Sequence, residues 1–415
     1  MKKTIWIMNH YAGGMRFDKG GRHYNFAKYL RRAGYEPVIF CANSVHGKQE
    51  AFFEDGDLWQ EHMAEEINTP FVFVKARTYQ GNGKQRVLNM IDFYRNVKKA
   101  AKQYAEEHGT PDVIYASSVH PLTLVAGIQL AKHFGVKCIC EVRDLWPESI
   151  VAYSTRFTRS HPLMRLLYHG EKWIYKKADS LIFTMEGAYD YIVEQGWEKE
   201  IPRSKVHYIN NGVDLEVFRY NQANFQVKDP DLQNPDIFKL VYTGSIRRVN
   251  NLGLLLDAAK QVTNSKVKFL IWGDGDERST LEQRLQNEGI SNVVFKGKVE
   301  KKYIPYIVSQ SDLNLVHWEQ SDLLRFGESY NKLFEYLAAG TPIFSTVQTG
   351  YSIVKGNYCG LESQGSTPVD FAAGIEQISM LSENERQIMG KNALKTAEKY
   401  DFQNLTRQLI NIIEK

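Results

Sequence analysis

The sequence predicts an α/β protein made of two Rossmann-like domains, each a parallel sheet covered by helices. Three observations carry this. Short apolar strands alternate with helices in both halves of the chain. The alternation lapses once, near Gly196–Ser204, into a charged, proline-containing stretch. And 415 residues exceed what one hydrophobic core holds, roughly 250–300 residues.

The elements follow in order. Thr4–Met8 is a buried strand that enters a Gly-rich loop, Asn9–Arg22. YNFAKYLRRAGY is a helix with Phe26, Ala27 and Leu30 on its apolar face, stopped by Gly34. EPVIFCAN, VIYAS, VKCICEV and SLIFTM are further strands, with helical segments between them. The second half repeats the plan. FKLVYTG, VKFLIWGDG, NVVFKG, LNLVHW and TPIFST are its strands. NLGLLLDAAKQV, STLEQRLQNEG, IPYIVSQ and NKLFEYLAAG are its helices, the last closed by Gly340 with Pro342 just beyond. From Asn384 onward the pattern is polar and helical. The expected organisation is a first domain over 1–200, a second over 205–385, and a helical tail over 386–415 that returns to the first domain.

Composition narrows the class. Apolar residues make up 43% and charged residues 24%, which excludes disorder, collagen and a disulfide scaffold. A net charge of +4 does not argue for nucleic acid. The excess is local: residues 1–200 carry 27 basic and 23 acidic side chains, residues 201–415 carry 25 of each. Cys41, Cys138, Cys140 and Cys359 form no C-x-x-C pair and read as buried thiols of a reducing compartment. No run approaches the 18 apolar residues of a spanning helix, and the N-terminus lacks a signal-peptide core, so a cytoplasmic protein is expected.

A dinucleotide site does not fit. Gly13, Gly14, Gly20 and Gly21 miss the G-x-G-x-x-G spacing, and in Gly273-Asp274-Gly275 the third glycine is replaced by Arg278. The triplets Asp55/Asp57, Asp229/Asp231 and Asp274/Asp276 lack further acidic ligands, so no metal site is expected.

Phosphate-binding loops fit better. Glycines such as Gly14 in the first loop let backbone N–H groups approach an anion, and the helix after Gly21 adds its dipole. The loop after the first strand of the second half, Thr243-Gly244-Ser245-Ile246-Arg247-Arg248, offers arginine for bidentate phosphate contact. The segment Glu328-Ser329-Tyr330-Asn331-Lys332-Leu333-Phe334-Glu335 starts a helix with Ser329 as N-cap. Lys332 in its first turn opposes the helix dipole, a conflict that a bound anion removes. Glu335, on the same face, is placed to accept hydrogen bonds from ribose hydroxyls.

Taken in order, these pieces resemble the retaining glycosyltransferases of family 4, which have the GT-B fold: two Rossmann-like domains facing a central cleft. The residues that carry the resemblance are AGGMRFDKGGRH, Asn211-Gly212-Val213-Asp214 with Phe218, Gly273-Asp274-Gly275, Phe295-Lys296-Gly297, and Glu335 followed by Gly340-Thr341-Pro342. It covers the chain from Ile5 to about Leu409, and Glu141-Val142-Arg143-Asp144-Leu145-Trp146-Pro147 looks like the subgroup that builds bacterial O-antigen and capsule. One departure stands out. The family's first glutamate, separated from its second by seven intervening residues, falls on Gly327, and Glu328 is offset by one.

The resemblance implies transfer of a sugar, an N-acetylated hexosamine or deoxy-sugar, from a UDP-sugar with retention at the anomeric carbon. The acceptor is a saccharide or an undecaprenyl-diphosphate-linked one, and neither metal nor other cofactor is needed. Preorganised cations and N–H dipoles stabilise the departing diphosphate. His120, Arg247, Lys332 and Glu328 are the catalytic candidates; Gly14, Gly244, Gly273, Lys296, Ser329, Tyr330, Asn331 and Glu335 the donor-nucleotide candidates; Arg22 and Asp144 the acceptor candidates. The alternative is a GT-B UDP-sugar 2-epimerase. Two basic amphipathic segments, 71–105 and 156–177, suit an anionic membrane surface, so peripheral association with the inner face of the cell membrane is expected.

Overall fold

The computed structural model describes residues 2–415 apart from Asp55, Asn82, Val119 and Thr155, and it divides into two compact units. The first comprises residues 2–210 and 402–415, the second residues 211–401.

The first unit is built on eight strands: β1 (Thr4–Met8), β2 (Glu36–Ala42), β3 (Trp59–Ala64), β4 (Thr69–Val74), β5 (Val113–Ser117), β6 (Lys137–Val142), β7 (Ser180–Phe183) and β8 (Val206–Tyr208). Their spatial order is β3-β4-β2-β1-β5-β6-β7-β8. All pair in parallel except β3, which runs antiparallel to β4. The central strands are apolar along nearly their whole length because helices cover both faces. Strand order reverses between β1 and β5, so the loops after these two strands diverge and leave a crevice at the carboxyl edge.

The second unit has six parallel strands: β9 (Phe238–Thr243), β10 (Val267–Trp272), β11 (Val293–Gly297), β12 (Leu313–Val316), β13 (Ile343–Ser345) and β14 (Gly360–Glu362). Their order is β11-β10-β9-β12-β13-β14, which reverses between β9 and β12. Alternate residues of each strand enter opposite cores. Val241 and Leu270 meet Leu333 and Leu337 on one face, while Leu240 and Phe269 meet Leu255 and Ile375 on the other.

The domain limits expected from the sequence move. The first unit does not end near residue 200, because Val206 pairs with Leu181 and adds β8 to the first sheet. The tail divides as well. Helix Glu383–Lys399 packs on helix Asn331–Ala339 inside the second unit, where Gly390 leaves no room for a Cβ beside the Gly340 carbonyl. Only the last helix, Phe402–Ile413, belongs to the first unit; Phe402 meets the edge of Phe26 at 5.5 Å between ring centroids, and Lys3 pairs with Glu414 at 2.5 Å.

The start of the chain also differs from a plain loop. Residues Gly13–Asp18 form a short helix, and Gly13 is pressed so closely against Phe52 that an added Cβ would lie 2.6 Å from its ring. Gly14 has no such constraint.

Candidate active site

Arg22, expected at the acceptor, has a structural task instead. Its side chain is 2% exposed. Nε donates to Glu141 at 2.7 Å, and the two terminal nitrogens donate to the carbonyls of Asn210 (2.5 Å) and Ile209 (2.8 Å), where the chain leaves the first unit. Glu141, wholly buried on β6, also accepts from Ser117 at 2.7 Å and from Tyr115. Burial alone would raise its carboxyl pKa; Arg22 and His23 beside it outweigh that and hold it well below the usual range. A buried guanidinium held through all three of its nitrogens by Glu141 and two carbonyls anchors the fold.

At the β1/β5 reversal, His120 stands as N-cap of helix Pro121–Phe134, with its Nε2 2.6 Å from Nδ1 of His10. Both rings are buried. His120 also lines a small cavity with Ser118, Leu124, Asp144, Trp146 and Glu171. Asp144 is exposed at its rim. Glu171 lies deeper, accepting from Tyr175 at 2.6 Å and Tyr191 at 2.8 Å, and burial lifts its pKa to about 8.

The second unit holds the larger pocket, about 840 Å³, at the β9/β12 reversal. Two glycines make it possible. Gly273 has φ +150°, and a Cβ there would lie 1.8 Å from the Gly244 carbonyl oxygen. Gly244 has φ +152°, and its Cβ would touch the Lys332 ammonium at 3.0 Å. The loops after β9 and β10 therefore bring bare backbone to the pocket floor, together with Thr243, Asp274 and Gly275. The opposite wall is the start of helix Asn331–Ala339, capped by Tyr330 rather than Ser329 and without an acid in its first turn. Ser329, Tyr330, Asn331, Lys332 and Glu335 all line the pocket, with Trp318, Val299 and Ile304 as its apolar strip.

Lys332 is the pivot of this wall. Its Nζ donates to the Tyr242 hydroxyl at 3.0 Å and stands 4.1 Å from the centre of that ring. Burial lowers its pKa to about 7, against the pull of Glu335. Burial likewise raises Glu335 to about 7, against Lys301 and Lys332. The buried Ser329 hydroxyl has no hydrogen-bond partner among the described residues. Glu328 lies behind the wall, 4% exposed, and its Oε1 accepts from the Ile353 amide at 3.2 Å. Burial pushes its pKa up to about 8. Gly327 precedes it at φ +114°, a backbone position that suits glycine and not glutamate, which accounts for the one-residue offset in the sequence.

Two expected residues fall elsewhere. Lys296 is consumed by Asp229 (2.7 Å) and Asp231 (2.5 Å) and does not reach the pocket; Lys298 and Lys301 take its place. The cause is Gly297 at φ +82°, which breaks the strand alternation just before Lys298. Arg247 is exposed in the loop after β9, outside the pocket lining. The Asp229/Asp231 triplet is explained by Lys296 and Lys268, whereas Asp55 of the Asp55/Asp57 triplet lies outside the described residues. Sequence reasoning missed His10, Tyr242, Lys298, Lys301 and Trp318. Of these, His10, Lys298, Lys301 and Trp318 carried a signal, as residues just beyond strand ends, whereas Tyr242 lies inside β9.

The two units, each with its site at a strand-order reversal, define the GT-B architecture, and solved structures share it across the whole chain. HepE of Anabaena, in complex with UDP and glucose, superposes with a TM-score of 0.64 at 15% identity, covering 99% of each chain. The trehalose 6-phosphate synthase of Burkholderia multivorans reaches 0.71 at 15% identity, covering 100% of this chain and 98% of that one. Residues 22–217 match Glycosyltransferase Family 4, and residues 225–396 match Glycosyl transferases group 1. With both halves so matched, the chain belongs to the GT-B glycosyltransferases. Among curated relatives, a candidate teichuronic acid biosynthesis glycosyltransferase of Bacillus subtilis, TuaH, is 26% identical over 280 residues, 66% of this chain and 65% of that one. The chain thus spans just under two thirds of that relative's length. The sulfoquinovosyl transferase SQD2 of Arabidopsis thaliana is 22% identical over 399 residues, 94% of this chain and 69% of that one.

Proposed function

We propose that this protein transfers a sugar from a UDP-sugar to a saccharide or lipid-linked saccharide, with retention at the anomeric carbon and without a metal, in the assembly of a bacterial surface polysaccharide. The observation that carries the reading is Lys332. A cation in the first turn of a helix opposes the dipole, and this one is held above the close pair Gly244 and Gly273, where only backbone lines the floor. A diphosphate in that position turns both features from cost into gain: the helix N–H groups and the ammonium face its charge. The same groups then stabilise the charge that grows on the diphosphate as the sugar departs. Ser329 supplies a hydroxyl donor, and Glu335, one turn further on, accepts from the ribose hydroxyls.

The UDP found with HepE and the teichuronic acid relative support the choice of donor and of a surface-polysaccharide product. The donor sugar is assigned only as a hexosamine or deoxy-sugar class. Membrane contact is assigned to helix Pro162–Lys177. Leu163 (47% exposed), Leu166 (68%) and Trp173 (40%) stand in water on this helix, alongside Arg165, Lys172, Lys176 and Lys177. That combination fits an anionic lipid surface. Segment 71–105 is a poorer candidate, because helix Lys84–His108 turns Met90, Phe93, Val97 and Tyr104 into the core. No helix among the described residues is long and apolar enough to cross a membrane.

Thermal unfolding in EDTA with UDP, GDP, ADP and NAD tests the reading. A ligand at a hundredfold excess over its Kd stabilises by about 2.7 kcal/mol. Stabilisation by UDP that disappears in Lys332→Ala is the expected result. A response to NAD alone, or to none of the four, rejects the donor site.

A further inference from the structure

A further concave surface lies wholly within the first unit, where helix Lys84–His108 packs beside helix Pro121–Phe134. The groove between them has a volume of about 430 Å³. Arg95, Lys98, Lys99 and Lys102 of the longer helix form one wall; Gln129 and His133 of the shorter helix form the other. Among the described residues the apolar lining is Leu130, which is buried, and no carboxylate lines the groove. Helix Pro121–Phe134 has no acid along its length.

The cations are crowded on one helix face. Arg95 is three and four residues from Lys98 and Lys99, and Lys102 is four and three residues from the same two. Each such like-charge pair weakens the helix. Elsewhere in this unit surface cations are answered by acids. Arg77 pairs with Asp92 at 2.5 Å, Lys172 and Lys176 with Glu200, and Arg159 with Glu148 and Glu194. Arg95, Lys99 and Lys102 are exposed and have no hydrogen bond or ion pair among the described residues.

Gln129 adds hydrogen bonding. Lys98 Nζ stands 3.9 Å from the centre of the Tyr94 ring and donates to Gln129 Oε1 at 3.0 Å. The Tyr94 hydroxyl donates to the same oxygen at 3.0 Å. An ammonium only donates, so the amide has one orientation, and its NH2 group is left without a partner among the described residues. The groove therefore presents donors: unpaired cations and an amide. Its ligand is rich in acceptors, with negative charges strung along roughly 10 Å, the rise of a helix from residue 95 to residue 102.

A bilayer matches this surface poorly. Membrane-surface helices set apolar side chains beside their cations, as Leu163, Leu166 and Trp173 stand on helix Pro162–Lys177. On the two groove helices the exposed large apolar side chain, among the described residues, is Val87, near the start of the longer helix and outside the groove lining. A concave slot also admits a chain more readily than a flat surface. Pro121 lines the small cavity at the β1/β5 reversal, and Gln129 and His133 follow roughly 12–18 Å down the same helix.

We propose that this groove holds an anionic saccharide chain, with acidic groups of the chain along Arg95, Lys98, Lys99 and Lys102 and a hydroxyl oxygen on the Gln129 amide. The proposal deepens the glycosyl-transfer reading by giving the charge of the glycan that the protein handles. It rests on that reading for the identity of the chain as acceptor or product, and not for the binding itself.

Tetragalacturonate is the probe. Calorimetric titration into the full chain, in EDTA at low salt, is expected to show binding that weakens as salt is raised. Tetraglutamate and uncharged maltotetraose are expected to bind more weakly. Lys99→Glu with Lys102→Glu leaves the Lys98–Gln129–Tyr94 contacts in place. It is expected to weaken tetragalacturonate about tenfold or more, with UDP-induced thermal stabilisation unchanged. Gln129→Leu removes the amide and no charge, and is expected to weaken tetragalacturonate but not tetraglutamate.

Absence of tetragalacturonate binding in the parent chain, or equal binding by the double variant, overturns the proposal. Tetraglutamate bound as tightly as tetragalacturonate also overturns it, in favour of an acidic peptide. Cosedimentation with phosphatidylglycerol vesicles that depends on Lys99 and Lys102, in a chain that ignores tetragalacturonate, overturns it in favour of the membrane. A parent chain that binds tetragalacturonate and not UDP supports the groove and rejects the donor site. One that binds UDP and not tetragalacturonate rejects the groove alone.

Discussion

The two strand-order reversals use the same topology and opposite chemistry. Between β1 and β5 the protein buries two imidazoles side by side, and one of them, His120, lines a small cavity. Between β9 and β12 it places lysines, two carboxyls and bare glycine backbone around an open pocket of about 840 Å³. A crevice at the carboxyl edge of a parallel sheet comes with the fold in both cases. What it can bind is set by residues just past the strand ends. An ammonium held near its own midpoint, with no acid in the first turn of its helix, is poised for an anion. A histidine that burial keeps uncharged is not.

Four experiments would break or sharpen that contrast. The largest effect is expected in the second unit. Lys332→Ala removes the cation aimed at the leaving diphosphate, and turnover of the UDP-sugar should fall about 10²–10³-fold. Comparable turnover would move catalysis elsewhere. Next comes a change in the first unit that should touch stability and not binding. Arg22→Met strands Glu141 as a buried charge, which costs about 3–5 kcal/mol in denaturant unfolding. UDP affinity should hold. If acceptor affinity alone changed and stability did not, Arg22 would return to the acceptor site.

The third effect concerns pH. Glu328 has a folded pKa raised by burial to about 8 from an ordinary value near 4.5. The folded state therefore holds a proton that the unfolded state releases. Its contribution to stability is fully present below about pH 4.5 and is lost as pH rises through about 8. Glu171 acts with the same sign. Glu328→Gln should flatten the loss of thermal stability between pH 5 and 8, and an unchanged profile would show that the carboxyl is ionised in the fold. The smallest effect is at the surface. Leu166→Asp should reduce cosedimentation with vesicles rich in anionic lipid at low salt, while leaving UDP-induced thermal stabilisation untouched. Equal cosedimentation would remove helix Pro162–Lys177 from the membrane account.

The alternation of strands and helices was legible because buried parallel strands are continuous apolar runs. The pocket wall from Ser329 to Glu335 was legible too, since it lies in one stretch of chain. What the sequence hid has local causes. The edge strand WQEHMA is largely polar, and FVFV beside it merges into a basic region, so β3 and β4 went unseen. Lys296 and Lys298 look interchangeable until Gly297 turns the backbone between them. Arg22 reads as a cleft residue because nothing in its neighbourhood announces Glu141, which lies 119 residues away. His10 needed the topology itself: only the pairing of β1 with β5 brings it to His120 across 110 residues.

The central claim is that the β9/β12 pocket is a diphosphate site completed by Lys332. Calorimetric titration of UDP into the parent chain and Lys332→Met between pH 7 and 9, in EDTA, tests it most directly. Burial leaves the Lys332 midpoint at about 7 in the free protein, so binding above that pH must restore its proton. UDP affinity should fall by up to about tenfold per pH unit in the parent chain. Lys332→Met should bind weakly and without that slope. A parent chain whose UDP affinity ignores pH over this range, or a Lys332→Met variant that binds UDP as tightly, would contradict the account.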